Sequence, residues 1–174
     1  SSTALTDMQN NPVEDGTNPA LTIDEFVPDN VRPTLSAFEF DLDTRTMVLS
    51  FSETVNYSSF DATEVSFTEN GTNIVTISSS AAVLSTTSSA VIRFKISVGD
   101  ANAIKAATTV GNDASSTVIV VTSNAVNDMS GLPVVAVEAT DGVSAATYSK
   151  DSTNPTLQGF DALMPTSGPP IVLL

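Results

Sequence analysis

The chain contains no cysteine, no histidine and no tryptophan. Each absence closes off a class of chemistry. Without cysteine there is no disulfide framework and no redox clue to compartment. Without histidine, a serine nucleophile lacks its usual base, and zinc sites of the Cys/His kind are excluded. Aromatic residues make up only 6% of the chain, with two Tyr. The carboxylate pair of a glycosidase would therefore lack the stacking platforms that sugar clefts offer. There is no P-loop and no dinucleotide-type glycine cluster, so the chain reads as a non-enzyme. Basic residues are few as well: 6 Lys+Arg stand against 20 Asp+Glu, a net charge of −14. Nucleic acids and anionic membrane surfaces both require a basic face. The longest apolar runs, 118–121 and 171–174, are strand-sized and far short of the ~20 residues of a membrane helix. No signal peptide is legible, and Ser1 in place of an initiator Met reads as a processed or excised piece.

What is present is the vocabulary of short strands and turns: Ser, Thr, Val and Ala, punctuated by Gly, Pro and Asn. At 41% apolar the chain can build a core. It also repeats itself. "TDMQNNPV" (6–13) returns as "NDMSGLPV" (127–134), and "RPTLSAF" (32–38) returns as "NPTLQGF" (154–160). Pro12 falls on Pro133 at an offset of 121, Pro33 on Pro155 and Asp29 on Asp151 at an offset of 122. One inserted residue separates the two registers. Ordered anchors agreeing within one residue describe a window on a tandem array. Residues 1–28 are the tail of one copy, 29–151 a complete copy and 152–174 the start of another.

Within the complete copy, period-2 alternation is legible. Phe38, Phe40 and Leu42 share a parity, "DTRT" (43–46) turns the chain, and Met47, Leu49 and Phe51 share the next face. Val65 and Phe67 point inward before "ENGT" (69–72), whose Asn-Gly is a hairpin signal. Runs 73–77 and 81–85 follow. In "VIRFKISV" (91–98), Ile92, Phe94, Ile96 and Val98 face in, and Arg93 and Lys95 face out. "TVIVV" (117–121) reads as buried on both faces, and 134–139 and 144–149 close the unit. "DANAIKAA" (100–107) reads as a helix of about two turns with Asp100 as N-cap, and 58–65 holds a further single turn. Eight or nine short strands at this spacing mean an all-β sandwich. Its expected core is Phe38, Phe40, Met47, Leu49, Phe51, Phe67, Ile92, Phe94, Ile96 and Ile119.

"LSFSETV" (49–55) followed by "AVNDMSGLPV" (125–134) resembles the bacterial Ig-like domains of S-layer and surface-adhesion proteins. A longer spelling, "PTLxxFxLDL", "FSETVNxSS", "DxNAIKA" and "DMSGNPV", is similar to tandem repeats of large secreted proteins of marine protists and microalgae. Those segments stand here at 33–42, 51–59, 100–106 and 128–134, with Leu132 where the pattern prefers Asn and a Pro-rich 164–174. The resemblance implies an Ig-like antiparallel β-sandwich, an extracellular, structural or adhesive role, and no catalytic residues.

Site candidates are few. Glu53 continues the inward parity of Phe51, so it belongs at the rim of the sandwich, where a carboxylate needs partners. Those partners are backbone N–H groups, an ion pair with Arg93 or Lys95, or a bound cation. Calcium takes several oxygens, and the junction stretches "PDNVRP" (28–33) and "KDSTNP" (150–155) offer Asp29, Asn30 and Asp151 as candidate ligands. The alternative is that these acids only keep a Lys-poor fibre soluble. Asn56 and Asn70 head the only N-glycosylation sequons.

The expected function is a structural repeat of a secreted cell-surface fibre or appendage, with an extracellular adhesion or ligand-binding module as the alternative. Expected partners are copies of itself or adjacent repeats through β-strand pairing by the end segments, with glycans or surface proteins for the adhesive alternative. No nucleic-acid partner, membrane insertion or cofactor is expected beyond structural calcium.

Overall fold

The computed structural model describes residues 8–11, 25–69, 72–159, 161–163 and 171–173. In chain order its strands are β1 (Leu35–Asp41), β2 (Thr46–Val55), β3 (Val65–Glu69), β4 (Thr72–Thr76), β5 (Ala82–Val83), β6 (Ser89–Lys95), β7 (Val118–Val121), β8 (Val143–Ser144) and β9 (Thr147–Ser149). A helix, α1 (Val98–Ala106), stands between β6 and β7. Five strands form one sheet in the order β5-β6-β2-β1-β9, and four form a second in the order β4-β3-β7-β8. Phe40 of β1 meets Phe67 of β3 at 5.3 Å between ring centroids, so the inner faces of the two sheets pack on each other. This is the all-β sandwich that the alternation implied.

The parities of β1, β2 and β6 hold, and every residue expected in the core is buried. The β1–β2 turn closes locally: the Asp41 side chain accepts the N–H groups of Asp43 and Thr44 at 3.0 and 3.1 Å. Residues 57–59 and 62–64 form two single-turn 3₁₀ helices in the stretch where one turn was expected.

Four expectations change. Val98 is 58% exposed, because β6 stops at Lys95 and Val98 already belongs to the first turn of α1. Ser97, not Asp100, is the N-cap. Its hydroxyl accepts the Asp100 N–H at 3.0 Å while Asp100 accepts the Ser97 N–H at 3.1 Å, a capping box. Asp100 is buried, and Ser78 supplies two further bonds to its carboxylate.

The stretch 134–139 is not a strand. Val134, Val135 and Val137 donate in turn to Val126, Pro33 and Val121, three different partners, so no continuous ladder forms. Finally, the sandwich is not wholly antiparallel. The N–H of Ala145 goes to Thr117 beside β7 and that of Ala146 to Phe38 of β1. Consecutive residues thus carry the chain from one sheet to the other, and β9 emerges parallel to β1.

β3 departs from simple alternation too, with Ser66 and Thr68 buried as well as Val65 and Phe67. Their hydroxyls are satisfied, Ser66 by Thr76 and Thr68 by the Thr72 carbonyl, at 2.9 Å each.

Asp161–Leu163 (β10) and Ile171–Leu173 (β11) pair antiparallel as a separate hairpin rather than joining either main sheet. The pairing expected of 1–28 falls mostly outside the described residues, and within them Phe26 is exposed. No helix among the described residues is long and apolar enough to cross a membrane.

Candidate functional site

Three segments converge at the C-terminal end of β2. The first is the approach to β1. The side chain of Asp29 accepts the Val31 N–H at 3.0 Å, an Asx turn. Arg32 then donates to the carbonyls of Pro133 and Val134 at 2.8 and 2.7 Å, and the Pro33 carbonyl takes the Val135 N–H. The approach is thereby fastened to the 127–134 turn.

The second segment is β2 itself. Glu53 lies between buried Phe51 and Val55 on the inward parity, half-buried at the rim. The third is the turn that opens with Asp128, which bridges Val55. Asp128 is 2% exposed. Its Oδ1 accepts the N–H groups of Ser130 and Leu132 at 2.8 and 2.7 Å, and Gly131 completes the turn at φ +89°, a conformation glycine adopts without strain.

The carboxylates of Asp29, Glu53 and Asp128 each bring an oxygen to within 4.8 Å of the others. Two buried side-chain oxygens among the described residues lack a hydrogen-bond partner, and both belong to this cluster: Glu53 Oε1 and Asp128 Oδ2. Burial, followed by the charges of Asp29 and Asp128, pushes the Glu53 carboxyl up from its ordinary value. No cation among the described residues pairs with Glu53 to offset this. The one ion pair among the described residues joins Lys105 to Asp151, and Arg32 is committed to the two carbonyls. The ion pair expected of Glu53 with Arg93 or Lys95 is not formed. Those residues stand opposite Val48 and Thr46 on β2, about 16 Å or more along the strand from Glu53 at about 3.3 Å per residue. Backbone N–H bonds do not satisfy Oε1 either.

Of the calcium candidates, Asp29 therefore finds two further acids, and Asp151 does not join them. Asp151 pairs with Lys105, and its Oδ1 accepts the Thr153 N–H at 3.0 Å. Asp43 holds Ser152 and Thr153 beside it, at 3.3 and 2.8 Å. The Lys105 bond, reinforced by the Thr153 N–H and the contact with Asp43, lowers the Asp151 carboxyl to about 2. Asn30 is exposed. The Asx turn at Asp29–Val31 recurs at Asp151–Thr153, 122 residues later.

Asp128 was readable as a turn residue but not as a member of the site. Its signal was the recurrence of Asp-Met at 7–8 and 128–129. Asn56 caps the first 3₁₀ turn. Its Oδ1 accepts from the Ser58 N–H and hydroxyl at 3.1 and 2.7 Å, so the side-chain oxygen, not the nitrogen a glycan would take, carries these bonds. Asn70 lies outside the described residues. Compared with protein-family profiles, curated proteins and solved structures, the chain matches none.

Proposed function

We propose that this chain is a structural unit of a secreted cell-surface fibre: an Ig-like, non-catalytic sandwich strung head to tail, setting length and stiffness. The observation that carries this reading is the pair of equivalent junctions. The same Asx turn stands before the sandwich and after it, in the register of the sequence repeat. Each junction is also fastened to the body, at 29–34 by Arg32 and at 151–153 by Lys105 and Asp43. A linker held at both edges of a module transmits orientation instead of swinging freely.

The hairpin of β10 and β11 supports the same reading. Shifted by 122 residues, 161–163 falls on 39–41 and 171–173 on 49–51, inside β1 and β2, although Asp161 pairs with Leu173 where Glu39 pairs with Val48. The net charge of −14 keeps such a fibre soluble and self-repelling. In a eukaryotic secretory route, Asn56 is the sequon of the described residues that would carry a glycan.

Electron microscopy of the native material tests this. Beaded filaments are expected with a repeat on the order of 40 Å, set by the ten-residue β2 at about 3.3 Å per residue plus a linker. Isolated globular particles would sink the reading.

A further inference from the structure

We infer that Asp29, Glu53 and Asp128 bind one divalent calcium ion, which ties the approach to β1 onto the body of the sandwich. The cluster by itself would not license this, since acids gather on many surfaces. Asp128 supplies the independent observation: it is 2% exposed, and its Oδ2 is buried without a partner. A buried carboxylate oxygen left unbonded beside two other carboxylates is costly unless a cation completes it. Glu53 Oε1 stands in the same condition.

The donor set selects the ion. All three ligands are carboxylates, and the chain has no His or Cys, so a hard, oxygen-seeking cation is required. Calcium binds oxygens at about 2.3–2.6 Å, so two of its ligands stand at most about 5 Å apart. Three oxygens that all lie within 4.8 Å of one another fit inside that diameter. Magnesium demands near-ideal octahedral geometry and gives up its waters reluctantly, so three carboxylates from separate segments suit it less. Water and carbonyl oxygens supply the remaining positions of a six- to eight-fold shell.

The three ligands come from segments already held relative to one another. Arg32 fastens the Asp29 segment to the carbonyls that end the Asp128 turn, and Val55 bridges Asp128 beside Glu53. The ion therefore completes a prepared junction and replaces mutual repulsion by attraction to a common centre. The site consists of this chain's own residues and does not depend on the fibre reading. Calcium binding can fail while filaments are seen, and filaments can be absent while calcium binds.

The test uses the full chain dialysed against EDTA, with calorimetric titration and thermal unfolding in CaCl2, MgCl2 and NaCl of matched ionic strength. One calcium per chain is expected, with Kd of about 0.1–1 mM as in extracellular modules. Tm should rise by on the order of 10 °C when calcium stands at about 100 times Kd. Magnesium should shift it less and NaCl least.

Glu53→Gln and Asp128→Asn keep shape, and Asn at 128 retains an oxygen for the Ser130 and Leu132 N–H groups. Each should weaken calcium binding at least about tenfold. Glu53→Gln without calcium should melt no lower than the unsubstituted chain, since one of three like charges is gone. Asp151→Asn should leave the calcium response intact. The inference is overturned by no heat and no Tm shift up to about 10 mM calcium, ten times the upper Kd. It is equally overturned by a shift that NaCl reproduces, by an undiminished response in Glu53→Gln, or by a response lost in Asp151→Asn.

Discussion

Replacing Phe94 by Ala lowers the unfolding free energy by about 3–5 kcal/mol. Phe94 is completely buried on β6, one residue before the strand's end, opposite Met47 on β2 and Val83 on β5. Its ring packs at a tilt against Phe60, centroids 5.0 Å apart. The loss combines the transfer free energy of the ring with the cavity left behind, and its size depends on whether neighbours can collapse into the gap. They are poorly placed to do so. Phe60 is fixed by its N–H to the Tyr57 carbonyl, and the next residue, Asp61, donates to Ala125. Met47 is held between two strands. Urea unfolding measures the effect, and a loss below about 1 kcal/mol would mean that Phe94 does not anchor the core. Phe94→Leu, which keeps most of the volume, should cost under about 1.5 kcal/mol.

Gly111→Ala should cost about 2–5 kcal/mol, the sum of two separable causes. Gly111 sits at φ +73°, where an L-residue meets a penalty of about 1–2 kcal/mol. A Cβ there would also stand 2.7 Å from the Cγ2 of Ile104, a side chain buried on the inner face of α1. Forcing it aside adds about 1–3 kcal/mol of overpacking. The loop cannot retreat easily, because the Tyr148 hydroxyl donates to the Gly111 carbonyl and ties it to β9. Gly131 is the control. It has φ +89° but nothing within 4 Å of an added Cβ, so Gly131→Ala should show only the backbone penalty. Equal losses at the two positions would contradict the packing half of the argument.

The strands that could be read from the residues are those with one face on the core and one in solvent. In β1, β2 and β6 the alternation of Phe38, Phe40, Met47, Leu49, Ile92 and Phe94 with polar neighbours reports burial directly. β3 is covered on both faces, so Ser66 and Thr68 looked outward although they are buried and bonded. β8 and β9 are too short to carry a period, and their change of sheet at Ala145 and Ala146 is a tertiary event without local signature. The helix start was misread by three residues because Ser97 and Asp100 are both capping types, and the capping box uses both.

The site divides in the same way. Glu53 was exposed by parity, since an acid on an apolar face needs an explanation. Asp29 was marked by its place in a Pro-bounded junction. Asp128 joins them only through the Val55 bridge and the Arg32 clamp, contacts between residues far apart in sequence. Asp151 holds the repeat-equivalent position of Asp29, which is why sequence grouped the two. In the fold, Lys105 claims it.

In the proposed fibre the junctions hold successive sandwiches in a fixed line. Small-angle X-ray scattering of a concatemer measures this directly. Three copies of 29–150, joined so that Lys150 of one precedes Asp29 of the next, preserve the repeat register of the natural junction. The account predicts a rod whose maximum dimension grows linearly, by on the order of 40 Å per copy, with an unchanged cross-section. A maximum dimension that grows as the square root of copy number, with the distance distribution of freely jointed beads, would contradict it.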